Sequence, residues 1–270
     1  MEGETPLHAA LPYGVTSYYA ALAASRDPYN DPIAAQFVRR SEEDVTLPWE
    51  TPDPLGDEHY RVGRRILHHY RDRILILAND RCAVYCRHCF RRHFTAHSTG
   101  RITDAEIAEA AAYVAAHPEC HEALISGGDP LMLPDDHLER LFRALRGARD
   151  DLIIRLATRV PVVQPARLTA ELATTIGRYA PVWTVIHANH PREITQEFRQ
   201  AIARLVDRGV PVLNQTVLLR GVNDSADTLE ELFRGLVRCR VKPYYLFQGD
   251  LASGTSHFRT TIDEGLAIME

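Results

Sequence analysis

The sequence predicts an α/β protein built on a partial TIM-type barrel of six strands, preceded by an irregular, partly helical N-terminal extension. Two observations predict this fold. From Arg73 onward, short apolar runs of strand length alternate with longer segments of helical period, and nearly every predicted strand ends in a polar residue. A barrel builds one site from the carboxyl ends of many strands, whereas an open doubly wound sheet uses mainly the loops beside its switch point.

Six apolar runs have strand length and alternate with five segments of helical period. The strands are ILILA (74–78), EALIS (122–126), IIRLAT (153–158), VWTVIH (182–187), PVLNQTVLL (211–219) and PYYLFQ (243–248). The helices are TDAEIAEAAAYVAAHP, DDHLERLFRALRG, LTAELATTIGRYA, TQEFRQAIARLVDRG and SADTLEELFRGLVRC. Each helix begins near Thr, Asp or Ser, which cap helix N-termini. Strands that alternate with helices pair in parallel through right-handed crossovers.

The polar residues at the strand ends favour a barrel over an open sheet. They are Asn79, Ser126 to Asp129, Arg159, His187 with Asn189, Gln215, and Gln248 with Asp250. Alone, Asn79 or Arg159 would be interpreted as the start of a turn. Because six strands share the feature, we expect one site at the carboxyl edge of the sheet.

Residues 1–70 are predicted to be an N-terminal extension, and residues 71–270 the barrel. The extension contains DPYNDP and LPWETPDPLGDE, in which Pro, Asp and Gly interrupt both helix and strand. Short helices are predicted at Thr16 to Ser25 and at Pro32 to Arg40. We expect this extension to pack on the barrel.

Composition excludes several classes of protein. The formal net charge of −5 gives no reason to expect nucleic acid as a partner. The N-terminus lacks the pattern of a secretory signal, and no apolar run approaches the roughly 18 residues that span a bilayer. Five cysteines, three of them close together, do not resemble a disulfide framework. We therefore expect a cytoplasmic protein without a membrane partner.

Three cysteines in CAVYCRHCFRRHF (82–94) have the spacing C-x3-C-x2-C, directly after the first predicted barrel strand. Iron–sulfur clusters use thiolates at such short spacing, and three ligands from Cys82, Cys86 and Cys89 would leave one iron open. The spacing favours this hypothesis.

Two other hypotheses for the cysteines stay open from the spacing alone. A zinc ion could take His88, His93 or His97 as a fourth ligand, although no second ligand pair follows in the sequence. Cys86 and Cys89 could also form a reactive C-x2-C thiol pair, which would leave the third cysteine unexplained.

Six ordered motifs resemble the radical S-adenosylmethionine superfamily and, within it, the lysine 2,3-aminomutase family. They are CAVYCRHCFRRHF, SGGDPLM (126–132), RVPVVQPARLT (159–169), HANHPREIT (187–195), LNQTVLLRGVND (213–224) and PYYLFQGDLASGTSHFRT (243–260). The resemblance extends from about Asp27 to the last residue. It implies a radical SAM (βα)6 barrel and an isomerase that moves the α-amino group of L-lysine to the β-carbon through a 5′-deoxyadenosyl radical.

The resemblance also implies cofactors and the residues that bind them. Cys82, Cys86 and Cys89 would hold a [4Fe–4S] cluster whose fourth iron is chelated by S-adenosylmethionine. Gly127, Gly128 and Asp129 would hold the amino group of that cofactor, and His187 and Gln215 would contact its nucleoside or methionyl part. From the residues alone, SGGD could be a simple turn, and His187 and Gln215 could be buried polar residues of the core.

Two further residues would bind the substrate by the same resemblance. Arg91 would hold the α-carboxylate of the amino acid, since a guanidinium can donate two parallel hydrogen bonds to a carboxylate. Asp250 would bind the distal ammonium of lysine, which argues against glutamate as the substrate. Arg92 is interpreted as a solvated or structural charge.

Lysine 2,3-aminomutases also require pyridoxal phosphate, bound to a lysine in a glycine-rich segment downstream of HFRT. Tyr70 and Arg73 resemble residues near the coenzyme phosphate. Lys242 is the only lysine in the sequence, and it precedes the sixth strand, on the far side of the barrel from the predicted site. The chain stops at GLAIME within a predicted helix, so we expect a truncated aminomutase, which could be inactive in this form. The alternative is an aminomutase relative that works without covalent pyridoxal phosphate.

Two other functions remain as alternatives. One is the aminomutase relative that makes β-lysine for elongation factor P, which CAVYCRHCFRRHF also resembles. The other, of a different class, is a zinc-stabilised, non-catalytic α/β binding protein. The expected partners are a small amino acid, a reducing electron donor and further copies of the chain in a homo-oligomer.

Overall fold

The computed structural model describes residues 11–96 and 100–270, so that His97 lies outside the described residues. One seven-stranded sheet runs in chain order from its first strand to its last. The strands are β1 (Ile66–Tyr70), β2 (Arg73–Asn79), β3 (Glu122–Gly127), β4 (Ile153–Thr158), β5 (Val182–Ile186), β6 (Val212–Val217) and β7 (Lys242–Phe247). All six predicted strands are present as β2 to β7, and neighbours among them pair in parallel.

The sheet is a partial barrel, which confirms the predicted fold class. Within the described residues, β7 pairs only with β6, so the barrel does not close. β1 is an addition that the sequence did not predict, and it pairs antiparallel with β2 through the register Ile66 to Ile76. The side chains of β1 are buried at Ile66 and exposed at Tyr70. Its sequence ILHHY lacks the apolar run that identifies the other strands.

The helices form the outer layer. They are α1 (Ser17–Ala21), α2 (Asp104–Ala116), α3 (Asp135–Ala148), α4 (Val160–Val163), α5 (Ala170–Arg178), α6 (Gln196–Val206), α7 (Ala226–Arg238) and α8 (Ile262–Met269). The five predicted crossover helices are α2, α3, α5, α6 and α7. Four of them begin with a Thr or Ser hydroxyl that accepts a backbone hydrogen bond, as the sequence pattern indicated. No helix in the described part of the chain has the length and apolarity to cross a membrane.

The extension is less helical than predicted. The first predicted helix is only the five-residue α1, and the second is reduced to the 3-10 turn Ala34–Gln36. This turn ends because Phe37, at a φ of −134°, has left the helical region. Its buried ring packs edge-on against Tyr19 of α1, at 5.8 Å between centroids. The extension is therefore held by contacts with itself and the barrel rather than by helix propensity.

The two faces of the sheet differ. Side chains that point outward, such as Ile76, Ile125 and Leu156, are completely buried beneath the helices. We call the opposite side the inner face. It is formed by Leu75, Leu124, Arg155, Trp183, Gln215 and Tyr245, which lie on one side of the sheet by their register. Trp183 is 38% exposed and Tyr245 43%, so the barrel interior is open.

Candidate functional site

The cysteine loop follows β2 at the carboxyl edge of the parallel strands. Cys82, Cys86 and Cys89 are all free thiols of intermediate exposure, and the Cys89 N–H donates to the Cys86 carbonyl oxygen at 3.0 Å in a tight turn. Burial raises the pKa of the Cys82 thiol well above its ordinary value, and nearby negative charge on Asp129 and on the other two thiols raises it further.

The spacing of these sulfur atoms does not suit a single zinc ion. Within the described residues, no cysteine sulfur belongs to a group of three ligand atoms that lie within 4.8 Å of one another. Tetrahedral zinc, with Zn–S bonds of about 2.3 Å, would hold its sulfur ligands about 3.8 Å apart. Iron–sulfur clusters, in contrast, are held by cysteine thiolates at short sequence spacing, as in this loop.

The histidines considered as a fourth ligand do not support the zinc hypothesis. His88 is buried among protein side chains, and His93 lies beside Asp53 and Asp57 instead of the thiols. A reactive thiol pair is also unsupported, because burial raises the pKa of Cys89, whereas reactive thiols have a lowered pKa.

Gly127 and Gly128 pack directly against the start of the cysteine loop. A Cβ at Gly127 would lie 2.4 Å from the Asn79 carbonyl oxygen, and the residue has a φ of +114°, which favours glycine. A Cβ at Gly128 would lie 2.6 Å from the Arg81 carbonyl oxygen. The SGGD segment is therefore more than a turn: its glycines allow two backbone segments to meet beside the cysteines.

The Asp129 carboxylate holds the beginning of α4. It accepts hydrogen bonds from the Thr158 hydroxyl at 2.7 Å, the Arg159 N–H at 2.7 Å and the Val160 N–H at 3.2 Å. It also accepts from the Leu131 N–H at 3.0 Å. Burial raises the pKa of Asp129, and these hydrogen bonds counteract the rise. The contact of this segment with the cofactor amino group stays a prediction, and the side chain already has a structural role.

His187 and Gln215 lie on the inner face, and their cofactor contacts stay predictions. His187 Nε2 lies 3.1 Å from Asn189 Oδ1, and its ring approaches His88 at 5.4 Å between centroids. Burial, reinforced by the Arg159 charge, lowers the pKa of His187 to about 3, so its imidazole is neutral at physiological pH. The Gln215 side chain has no hydrogen-bond partner within the described residues.

Asp250 lines a small cavity, and the charge of Arg91 acts on its carboxylate. Asp250 lines a cavity of about 30 Å³ with Phe90, Phe258 and other residues. Burial raises the pKa of Asp250, and the Arg91 charge counteracts this rise. Arg91 is buried and donates from Nε to Asp57 Oδ2 at 2.9 Å, an ion pair that the sequence did not predict.

The extension supplies acids that hold the arginines of the cysteine loop. Glu43 accepts from Arg87 Nε at 2.8 Å and from Arg92 Nη2 at 3.2 Å, with only 4% of the Glu43 side chain exposed. Arg92 also donates to the Ser253 carbonyl oxygen at 3.0 Å, which makes it a structural charge. Sequence reasoning missed the role of Glu43, because a single acid in an aperiodic segment gives no local signal.

Arg159, one of the polar strand-end residues expected at the site, contacts a cysteine of the loop. Its Nη1 lies 2.6 Å from Cys86 Sγ. Its Nη2 lies 2.9 Å from both the Tyr19 hydroxyl and Glu193 Oε1. The signal that could have identified it is its place at a strand end opposite the cysteines, within one of the six quoted motifs.

The residues predicted to lie near pyridoxal phosphate are at the other edge of the sheet. Tyr70 and Arg73 face each other across the turn between β1 and β2, with the guanidinium 5.5 Å from the ring centroid. Lys242 is exposed at the first position of β7. A strand of six residues is about 17–20 Å long, so Lys242 is separated from the cysteine edge by roughly that distance. The coenzyme assignments stay predictions.

Comparisons with known proteins agree with this geometry. Residues 76–233 match the radical SAM superfamily. The chain is 40% identical over 269 residues to the L-lysine 2,3-aminomutase of Clostridium subterminale, a match that spans 100% of this chain and 64% of that protein. A relative from Aquifex aeolicus is 43% identical over 272 residues, spanning 99% of this chain and 72% of the relative.

Solved structures show the same fold. The chain resembles native anSMEcpe with bound AdoMet and Cp18Cys peptide at a TM-score of 0.55 and 14% identity, over 72% of this chain and 56% of that one. The chain spans about three fifths of the length of several curated relatives. Because the superfamily match covers more than half of the chain and the identities reach 40% or more, this chain belongs to the lysine 2,3-aminomutase family of radical SAM proteins.

Proposed function

We propose that the chain binds a [4Fe–4S] cluster and S-adenosylmethionine and positions L-lysine for transfer of its α-amino group to the β-carbon. Membership of the radical SAM superfamily implies the cluster and S-adenosylmethionine, and pyridoxal phosphate is expected from the lysine 2,3-aminomutases. The observation that supports the substrate assignment is the influence of the Arg91 charge on the pKa of Asp250, a residue that lines a cavity beside Phe90, which follows Cys89.

Arg91 has the hydrogen-bonding capacity for an α-carboxylate. Its Nε is used by Asp57, which fixes the plane of the guanidinium. In the described part of the chain, its two terminal nitrogen atoms have no hydrogen-bond partner. A carboxylate can accept two parallel hydrogen bonds from such a pair of nitrogens. Asp57 therefore acts as a positioning residue that leaves the binding edge of Arg91 available.

The Asp250 carboxylate has the negative charge needed to bind the distal ammonium of lysine. No hydrogen bond to its carboxylate oxygens is formed by the described residues, and it is half-buried, so an ammonium there would gain a charged partner in a partly desolvated place. Because a second carboxylate would be repelled, the site disfavours glutamate. His88, Phe258 and Arg259 complete the cavity wall and restrict water.

When bound, the cofactor supplies a hydrogen-abstracting radical once an external reductant delivers one electron to the cluster. The residues of this chain bind and orient the substrate and exclude water. The described residues place no lysine beside the cysteine loop for pyridoxal phosphate, so no step is assigned to that coenzyme. No observation favours the elongation factor P relative. The match to the radical SAM superfamily disfavours the zinc-binding alternative.

The proposal is tested on anaerobically reconstituted protein. We expect about four iron atoms and four sulfides per chain, with broad absorption near 400 nm, an order-of-magnitude expectation for iron–sulfur charge transfer. With dithionite and S-adenosylmethionine, L-lysine should stimulate release of 5′-deoxyadenosine. Absence of cluster, or stimulation by glutamate and not by lysine, would contradict the proposal.

Replacement of Asp250 by Asn should weaken the response to lysine selectively. We expect kcat/KM for lysine, measured by 5′-deoxyadenosine release, to fall about 100-fold. This loss corresponds to about 2.7 kcal/mol of transition-state stabilisation. Iron content should be unchanged. Asp263→Asn, an exposed acid in the first turn of α8, is the matched control and should behave as wild type. Equal loss in both variants would contradict the assignment of Asp250.

Lys242 should form no Schiff base with the coenzyme at this site. It is the only lysine of the sequence and lies exposed at the amino-terminal end of β7. After incubation with pyridoxal phosphate and borohydride, peptide mass spectrometry should show no stoichiometric adduct at Lys242. A stoichiometric adduct that disappears in Lys242→Arg would show that this residue carries the coenzyme after all.

A further inference from the structure

We propose that Arg159 sets the electron affinity of the iron–sulfur cluster through its hydrogen bond to Cys86. This inference rests on the proposed function, in which Cys86 is a cluster ligand. Arg159 would then be a positioning and tuning residue rather than a substrate ligand. The argument has three steps: the contact with sulfur, the fixation of the guanidinium, and the charge that results beside the cluster.

The contact is specific to Arg159. Its Nη1 lies 2.6 Å from Cys86 Sγ, and it is 7% exposed. Three arginines lie nearer along the sequence, within the cysteine loop itself, but acids of the extension pair with all of them: Glu43 with Arg87 and Arg92, and Asp57 with Arg91. Within the described residues, Arg159 is the only cationic side chain that donates to any of the three cysteine sulfurs.

The guanidinium is fixed from its other side. Nη2 donates to Gln36 Oε1 at 2.5 Å, to the Tyr19 hydroxyl at 2.9 Å and to Glu193 Oε1 at 2.9 Å. The Tyr19 hydroxyl in turn donates to Glu193 Oε1 at 2.5 Å. Tyr19 and Gln36 belong to the extension and Glu193 to the turn after β5, so three separate segments hold Nη2. With Nη2 fixed, the planar guanidinium directs Nη1 at the sulfur.

The buried charge has a defined electrostatic consequence. Arginine stays protonated, and electrostatic interactions are stronger at a buried site than in water. Reduction adds one electron, and hence one negative charge, to the cluster. A cationic N–H donor at a ligand sulfur stabilises the reduced form more than the oxidised form, since hydrogen bonds to the sulfurs help to set cluster potentials. Arg159 therefore raises the reduction potential, and the Glu193 carboxylate moderates the effect.

The test compares reconstituted full-chain variants without S-adenosylmethionine, using dithionite-mediated redox titrations followed by electron paramagnetic resonance. In Arg159→Gln, we expect the ratio of reduced to oxidised cluster at a fixed solution potential to fall at least tenfold. This equals a shift of about 59 mV to more negative potential for one electron. Arg155→Gln is the matched control. It removes another arginine of β4, which pairs with Glu122 at 2.7 Å and contacts no cysteine, and it should leave the potential unchanged.

Glu193→Gln provides a second variant with the opposite expected sign. It removes the negative charge 2.9 Å from Arg159 and keeps the size of the side chain, so the cluster should become easier to reduce. General loosening of the site would shift both variants in the same direction. This comparison also keeps the inference testable if Arg159→Gln does not assemble a cluster.

The outcomes separate the inference from the proposed function. If wild-type protein binds no cluster, the proposed function fails. If Arg159→Gln binds a full cluster at the wild-type potential, or if Arg155→Gln shifts equally, the tuning role of Arg159 is wrong while the proposed function stands. If Glu193→Gln holds a full cluster and shifts toward more negative potential, the electrostatic explanation is also wrong.

Discussion

Replacement of Cys86 by alanine is expected to abolish assembly of the iron–sulfur cluster, with iron content falling from about four atoms per chain to a small fraction of that value. The physical reason is the lack of a spare ligand. The other two free cysteines, Cys120 and Cys239, are buried elsewhere in the barrel, beside His68 and Arg199 respectively. Iron and sulfide analysis after anaerobic reconstitution, with the visible spectrum, measures the effect.

The same loss is expected for Cys82→Ala and Cys89→Ala. Cys239→Ala is the matched control, because it also removes one thiol, and it should assemble a full cluster. Full iron content in any variant of the three loop cysteines would contradict the assignment of the ligands. Loss of iron in Cys239→Ala as well would show that reconstitution reports on folding rather than on ligation.

Replacement of Glu43 by glutamine is expected to lower the free energy of unfolding by about 3–5 kcal/mol. Glu43 is paired with two arginines, and the Arg87 side chain is only 1% exposed. Removing the carboxylate charge leaves buried cations without compensation, which is one of the most costly changes in a protein interior. Urea denaturation of the metal-free protein, followed by circular dichroism, measures the effect.

Asp44→Asn is the control for Glu43. Asp44 is the neighbouring acid, and it pairs with Arg39 at the surface, where the two side chains are 63% and 46% exposed. Exposed ion pairs contribute at most about 1 kcal/mol, so this variant should unfold near the wild-type midpoint. If Glu43→Gln also unfolded there, Glu43 would not hold the cysteine loop in place.

The barrel could be predicted from the sequence because its signals are local. β4 is buried at alternate positions and matches the predicted range at both ends, and the hydroxyl of Thr103 caps α2 where the pattern placed it. Each of these features depends on residues within one turn or one strand. β1 was missed because it pairs on one side only and half of it is exposed.

The residues of the candidate site also differ in whether the sequence could predict them. The three cysteines lie within eight residues, so their spacing alone favoured a cluster over a zinc site or a reactive thiol pair. Arg91 and Asp250 were identified only by resemblance, and in the structure the charge of Arg91 counteracts the rise in the pKa of Asp250. Glu43 and Asp57 could not be predicted, because their partners lie 44 and 34 residues away and no periodic pattern links them. Three-dimensional contacts of this kind leave no trace in a single sequence.

The contacts of α1 also determine when the cysteine environment can be completed during synthesis. Tyr19 is made early, but Glu193, to which it donates, follows 174 residues later, and Thr16 donates to Val163 across 147 residues. Translation at about 5–20 residues per second places Glu193 roughly 5–20 s after Cys89. During that interval the three thiols are already part of the nascent chain, whereas the set of residues that holds the Arg159 guanidinium is still incomplete. The complete environment of Arg159 and Cys86 therefore cannot form before Glu193 has been synthesised.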